Sequence, residues 1–276
     1  MQSESLANGP KGRTVWDFVD WRKAGRIVAN LRQRIFRAAR ANDHRKVRSL
    51  QKLMLRSRSN ILMSVRRVTQ VNAGRNTAGV DKVLVKTPAA RGELVDRLAT
   101  FQPWRAKPVR RVYIPKKSDS SKRRPLGIPT IMDRCHQAMV KNTLEPAWES
   151  RFEGSSYGFR PGRNAHDAIE KIYNFARPNT RKKVVVDADI KGAFDNISQE
   201  FIMTALGDVP GKALIKQWLK AGYLEDGRHH ETPSGTPQGG VISPLLLNVA
   251  LHGMEAALGM RHDTQGTSIG KRAVVR

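Results

Sequence analysis

Residues 182–197 read KKVVVDADIKGAFDNI, and no other stretch constrains the fold of this chain as tightly. Val184, Val186, Ala188 and Ile190 alternate with Val185, Asp187 and Asp189. Period two is strand geometry, so the apolar set leaves on one face and both carboxylates on the other. A chain holding such a strand needs a sheet to receive it. Two like charges on one strand face also need compensation. Neighbouring lysines at a solvated edge supply one kind and a divalent cation supplies another; this stretch alone leaves both open.

The rest of the chain interleaves helices with strands. From Asp20 to Arg40, Ile27, Leu31 and Ile35 recur every four residues while Arg and Lys fill the other faces, which is a basic amphipathic helix. Asn42 and Asp43 interrupt it, and helical spacing resumes through Val47, Leu50, Leu53 and Met54, so residues 20–71 read as a helical hairpin. A turn at 72–82 and a helix over about 91–100 follow. Val109, Val112 and Ile114, then Leu126 and Ile128, mark two short strands around a Ser-rich basic turn, a hairpin. Helices are expected from Asp133 to Glu145, from Ala165 to Phe175, near 198–206 and from Pro244, with a strand before the Pro-Gly turn at 233–240. Strands and helices alternate without strict βαβ order, so the fold class is α+β.

Charge narrows the partner. Lys plus Arg number 50 against 24 acids, a net charge of +26, and a polymer of phosphates is the natural counterpart. Between Thr14 and Val71 the acids are Asp17, Asp20 and Asp43, which favours reading the helical hairpin as a nucleic-acid-contacting surface over a merely solvated face. Against a membrane stand the absence of a lipid-anchor motif and of an apolar span: the uncharged run Thr232–Met254 is broken by Pro237, Gly239, Gly240 and Pro244. Cys135 is the sole cysteine, so one chain holds neither a disulfide nor a cysteine zinc site, and a reducing cytoplasmic setting fits. The polar leader has no hydrophobic signal segment.

The segments TAGVDK, RRVYIPKKSDSSKRRPLGIPTIMDR, SSYGFRPGRNAHDAI, VVVDADIKGAFDNI and GTPQGGVISPLLLNVAL occur in this order. Together they resemble the reverse transcriptase domain of group II intron-encoded reverse transcriptase/maturases, and DWRKAGRIVANLRQRIFRAAR looks like the leader helix of bacterial members. The resemblance covers residues 16–276. It implies right-hand polymerase fingers and a partial palm behind a basic helical extension, with boundaries at 1–71, 72–165 and 166–276. It implies RNA-directed DNA synthesis from deoxynucleoside triphosphates, assistance to intron splicing and mobility, and Mg2+ as cofactor, since nucleotidyl transfer uses paired divalent ions held by carboxylate oxygens.

By the same resemblance Asp189 is the catalytic carboxylate and a metal ligand, with the backbone carbonyl of Ile190 beside it. Asp187 lies outside the first metal shell. Phe194 is the aromatic gate beneath the incoming sugar. Lys116 and Arg124, neighbours of Lys117 and Arg123, grip the triphosphate, and a guanidinium suits that task. Gln238 and Gly239 form the nucleotide pocket, where glycine admits close backbone approach. Arg66, Arg67, Arg160 and Arg163 are assigned to RNA, the latter two competing with a merely basic surface turn. The partners are group II intron RNA, template RNA with a DNA primer, and a complementing C-terminal half.

One departure matters. The family's second carboxylate motif, Tyr-x-Asp-Asp, has no counterpart, since no two Asp residues are adjacent, and Tyr223–Asp226 (YLED) precedes the Pro-Gln-Gly-Gly motif and is out of order. The chain alone is therefore expected to be catalytically incomplete. The alternative reading is a non-catalytic, maturase-like intron-RNA-binding fragment.

Overall fold

The computed structural model describes residues 13–100, 103–116, 119–178, 184–236, 239–262, 268–269 and 275. Its axis is a helix, expected from Asp133 to Glu145, that is buried on nearly every side. α5 (Ile131–Glu149) starts on a Thr130 cap that accepts from the Asp133 amide and runs through Pro146. Its buried residues include the polar Asp133, Arg134, Gln137, Thr143 and Glu145 beside the apolar ones. Ile131, Cys135, Ala138 and Met139 enter one core cluster, Val140, Leu144 and Trp148 a second, and Ala147 a third, so α5 is shared by all three.

α1 (Trp21–Arg40) and α2 (His44–Arg56) lie against it. The acids that look scarce in this region are used at the helix starts: Asp20 accepts from the Lys23 amide and Asp43 from the Lys46 amide. Such caps satisfy orphan backbone donors and place negative charge at the positive end of the dipole. The buried stripe of α1 is Ala24, Val28, Leu31, Ile35, Ala38 and Ala39, which includes Leu31 and Ile35 of the expected face, while Ile27 packs at its margin. Asn42 takes φ +56, the left-handed conformation that ends α1. The hairpin expectation also missed a break at Ser57, whose extended backbone (ψ 121) separates α2 from α3 (Arg58–Arg66). A five-residue π-turn, Arg67–Val71, then closes the segment. α4 (Pro88–Ala99) packs on α3. Gly92 on α4 is obligatory, because a Cβ there would sit 2.2 Å from the Thr14 carbonyl oxygen.

The expected fingers hairpin is present as β1 (Val109–Lys116) and β2 (Asp119–Ile128), antiparallel, with Val112 opposite Leu126 and an irregularity between Pro115 and Lys116. The sheet extends further than expected. β3 (Tyr223–Glu225) joins β1 in parallel, and β4 (Arg228–His230) completes the order β2-β1-β3-β4. The signal for this second hairpin is Asp226-Gly227, which take φ +47 and +78, as a tight two-residue turn demands. The YLED near-match is thus strand and turn.

The remaining helices are α6 (Ala165–Ala176), α7 (Ala193–Asn196), α8 (Gln199–Leu206), α9 (Lys212–Lys220), α10 (Ser243–Ala250) and α11 (Met254–Ala257). Ile202, Leu206, Ile215, Trp218, Leu246 and Val249 carry α8, α9 and α10 onto the second half of α5. A short pair, β5 (Arg261–His262) and β6 (Ser268–Ile269), follows. Among the described residues no helix is long and apolar enough to cross a membrane.

Candidate functional site

Residues 184–190 take no regular secondary structure and join no ladder among the described residues. The strand expectation is corrected here. Val184, Val185 and Val186 are 83%, 83% and 85% exposed, so the period-two pattern buries neither face. Alternation is a capacity for pairing, and a strand exists only where a partner supplies the hydrogen bonds. Asp187 and Asp189 are both exposed. Below them Gly192, at φ +60, turns the chain into α7, and Asn196 Nδ2 donates back to the Lys191 carbonyl at 2.9 Å. Phe194 is half-buried on this turn, edge-on to Phe159 with ring centroids 5.9 Å apart.

A second segment is laced to that turn. The Gly235 amide donates to the Ile197 carbonyl at 2.8 Å, the Thr236 amide to the Phe194 carbonyl at 2.6 Å, and Ser234 Oγ to the Asp195 carbonyl at 2.9 Å. Gly235 is required there, at φ +78, because a Cβ would lie 2.4 Å from the Phe194 carbonyl oxygen. Gly239, at φ +102, rests on β2: a Cβ would meet the Gly127 carbonyl oxygen at 2.4 Å and Leu126 Cδ1 at 2.8 Å. Beyond it, the Val241 amide donates to Gln137 Oε1 of α5 at 2.7 Å. The structure therefore bonds the Phe194 turn to the 234–236 loop and seats Gly239 against the fingers strand β2.

The other expected residues divide. Gln238, Lys117 and the side chain of Lys116 lie outside the described residues, and the Lys116 backbone ends β1 opposite Asp119. Arg124 is exposed on β2, paired across from Ile114. Arg67 is exposed, whereas Arg66 is half-buried with its guanidinium 4.6 Å from the Trp21 ring centre. Arg160 is a correction. It is 7% exposed, and its guanidinium donates to Glu149 Oε2 at 2.9 Å and to the carbonyls of Glu153 and Ser156 at 2.7 and 2.9 Å. A buried arginine so engaged holds the 149–160 loop, and four of its five N–H donors are spent inside the protein and not on a template phosphate. Arg163 is intermediate: it donates to the Ser156 carbonyl at 3.0 Å and lies 5.1 Å from the Tyr157 ring centre. Its pKa is lowered by burial and by Arg160 beside it.

The oxygen donors at 187–190 have the hardness a divalent ion requires. They fit such an ion in kind, while no group of three His, Cys, Asp or Glu capable of holding a metal occurs among the described residues.

Sequence reasoning missed the device that orients the fingers. Asp133 on α5 is 1% exposed, yet its Oδ1 accepts from both indoles, Trp104 Nε1 at 2.7 Å and Trp218 Nε1 at 3.0 Å, and its Oδ2 accepts from Thr130 Oγ1 at 2.7 Å. One carboxylate thus joins the segment entering β1, α5 and α9. Arg134 next to it donates to the Pro129 carbonyl at 2.9 Å, to the Gly74 carbonyl at 2.9 Å and to the Thr77 carbonyl that opens TAGVDK; burial lowers its pKa. Cys135 is fully buried, which pushes its thiol up to about 12 and leaves it unreactive at neutral pH.

Comparison with known proteins identifies the family. Residues 16–98 match the family described as the N-terminal domain of reverse transcriptase, and residues 114–269 match the family described as reverse transcriptase (RNA-dependent DNA polymerase). The group II intron-encoded protein LtrA of Lactococcus lactis subsp. cremoris is 46% identical over 152 residues, 54% of this chain and 25% of that protein. Protein YkfC of Escherichia coli (strain K12) is 33% identical over 251 residues, 86% of this chain and 64% of that protein. Maturase-like protein 1 of Euglena gracilis is 27% identical over 243 residues, 85% of this chain and 51% of that protein. The chain thus spans a quarter of the LtrA relative's length and under two thirds of the YkfC relative's. It belongs to the reverse transcriptase (RNA-dependent DNA polymerase) family, among relatives of group II intron-encoded proteins.

Proposed function

We propose that the chain supplies the fingers and the first part of the palm of a group II intron reverse transcriptase, which copies RNA into DNA with Mg2+ and deoxynucleoside triphosphates. The observation that carries this reading is the lacing of 234–236 onto 194–197, with Gly239 seated against Gly127 of β2. That contact ties the Phe194 turn to the 234–236 loop and seats Gly239 on the basic hairpin, which supports a nucleotide pocket made of a glycine backbone, an aromatic ring and cations.

Within that reading each residue has one task. Asp189 and the Ile190 carbonyl hold a divalent ion, and Mg2+ supplies charge neutralisation for the attacking and leaving oxygens when bound. Phe194 lies under the sugar and excludes a 2′-hydroxyl by contact. Lys116 and Arg124 orient the triphosphate, and Gln238 with Gly239 closes the pocket around base and sugar. Asp187, on the exposed run two residues before Asp189, stays outside the metal's first shell. Arg67, Arg66 and Arg163 approach RNA, together with the exposed cations of α1 and α2 such as Arg26, Arg34, Arg37 and Arg45.

The test is primer extension on an RNA template, with a second polypeptide carrying Tyr-x-Asp-Asp and the remaining palm. Asp189→Ala abolishes extension, because a methyl group cannot ligate a cation, while Phe194→Ala retains extension and admits ribonucleotides. Extension that survives Asp189→Ala overturns the metal assignment. Salt-sensitive RNA binding with no extension in any complemented mixture returns the chain to the maturase-like reading.

A further inference from the structure

Phe159, in the GFRPGR turn between α5 and α6, is held in a conformation that its residue type disfavours. Its φ is +58, in the left-handed region where a Cβ crowds the backbone and bulky residues are rare. Gly158 beside it could take such an angle freely and does not. Both neighbours are pinned. The Gly158 carbonyl accepts from Asn248 Nδ2 of α10 at 2.9 Å, and Asn248 is itself buried. Arg160, buried on the other side, is tied to Glu149, Glu153 and Ser156. The chain between these two anchors has little choice of path, which is how a strained residue persists. Burial does not account for the phenylalanine, since it is 60% exposed.

What the ring touches is Phe194. The two meet edge to face, with centroids 5.9 Å apart and planes 72° from parallel, the arrangement aromatic pairs prefer. The Phe194 backbone is fixed from another segment, its carbonyl accepting from the Thr236 amide at 2.6 Å. That bond sets where the residue sits and leaves its side-chain torsions to be decided by packing. A ring that excludes a hydroxyl by contact works only while it cannot swing aside, so its rotamer needs a support. We propose that Phe159 is the positioning residue of the Phe194 gate. The strained backbone delivers an aromatic ring that holds Phe194 at the angle on which discrimination against ribonucleotides depends. The inference rests on the reading of Phe194 as the sugar gate and adds the residue that steadies it. Phe159 acts through Phe194 and not on the substrate.

The experiment reads the ratio of deoxynucleotide to ribonucleotide kcat/KM in the complemented primer-extension assay. Phe159→Leu stays apolar but loses the ring, and lowers the ratio by about two- to tenfold, the scale of one aromatic pair. Phe159→Tyr keeps the ring and keeps the ratio. In a Phe194→Ala background Phe159→Leu changes nothing further, because both act through one side chain. Phe159→Gly lowers the ratio as Phe159→Leu does, yet melts at or above the parent temperature, since glycine relieves the strain. An unchanged ratio in Phe159→Leu, where Phe194→Ala lowers it, overturns the proposal and leaves the gate reading standing. If Phe194→Ala leaves the ratio unchanged, the gate reading fails and the proposal falls with it. Additive losses in the double variant overturn it by placing Phe159 on the substrate, and a loss in Phe159→Tyr equal to that in Phe159→Leu does so by excluding the ring. A clear fall in the melting temperature of Phe159→Gly makes Phe159 a structural prop only and also overturns the proposal. A second measurement needs no extension: fluorine NMR of the 276-residue chain labelled with 4-fluorophenylalanine, the Phe194 resonance being the one lost in Phe194→Ala. That resonance shifts in Phe159→Leu, and one that stays in place shows the rings to be apart and overturns the proposal.

Discussion

Helices α5 and α6 both carry large apolar side chains, and the structure treats them in opposite ways. α5 is buried on nearly every side and touches all three core clusters. α6 is strongly amphipathic and properly capped, with Asn164 and Asp167 exchanging bonds at its start, yet none of its residues is buried. Ile169, Ile172 and Tyr173 are 60%, 52% and 67% exposed, and the 184–186 valines are more exposed still. Local sequence is sufficient to form either helix; only long-range packing gives apolar residues a stabilising role. The difference separates a scaffold whose contacts are all present from an acidic run and a helix whose apolar faces are covered by none of the described residues.

Core truncation gives that contrast its largest expected effect. Leu144→Ala on α5 lowers unfolding free energy by about 3 to 5 kcal/mol, the range for a fully buried leucine. Ile172→Ala on α6 changes it by about 0.5 kcal/mol or less, since little area is lost. Urea titrations of the two variants decide the matter. Similar losses would show that α6 is packed in solution and would erase the contrast.

Asp133→Ala comes next, at about 2 to 4 kcal/mol, because it strands two indole N–H groups in the interior. Near-ultraviolet circular dichroism of the tryptophans should change with it. A variant as stable as the parent, with its tryptophan signal intact, would remove Asp133 as the joint between fingers and α9. Gly79→Ala is smaller, about 1 to 3 kcal/mol by overpacking. Its Cβ would lie 2.7 Å from Thr130 Cα and N, backbone atoms that can yield only if the start of α5 moves. A thermal melt within a degree of the parent would show that this start is pliable.

What was legible in the sequence follows the range of the forces involved. α1, α2, α4 and the β1–β2 hairpin were readable because periodicity, caps and turn residues act within a few positions. The α2–α3 break at Ser57 was not, since no Gly or Pro marks it and Ser57 makes no side-chain cap. β3 escaped notice because its three residues pair in parallel with a strand more than a hundred positions away, which no local pattern encodes. At the site, the grouping of Phe194 with Gly239 was legible only through resemblance. The internal use of Arg160 was not legible at all: an arginine in a Pro-Gly turn looks the same whether its partner is Glu149 or a phosphate. Asp133 hid for the same reason, as its two indole donors lie 29 and 85 positions away.

The smallest expected effect concerns pH and the same joint. His136 stacks on Trp104 with centroids 5.6 Å apart, and burial lowers its pKa while Asp133 opposes that shift. In the unfolded chain the imidazole titrates near 6.5. Because the folded value lies below it, the unfolded state binds the extra proton first as pH falls, and linkage then favours unfolding. The contribution of neutral His136 is therefore complete above about pH 6.5 and declines below it, down to the folded pKa. Carboxylates elsewhere also titrate on the acid side, so the informative quantity is the difference between the parent and His136→Gln, which keeps a polar side chain and cannot titrate. That difference should narrow as pH falls from 7 to 5. A constant gap across this range would mean that His136 is solvated in both states and that the Trp104 stack is open in solution. The wall of α5 facing the fingers would then share the exposure of α6.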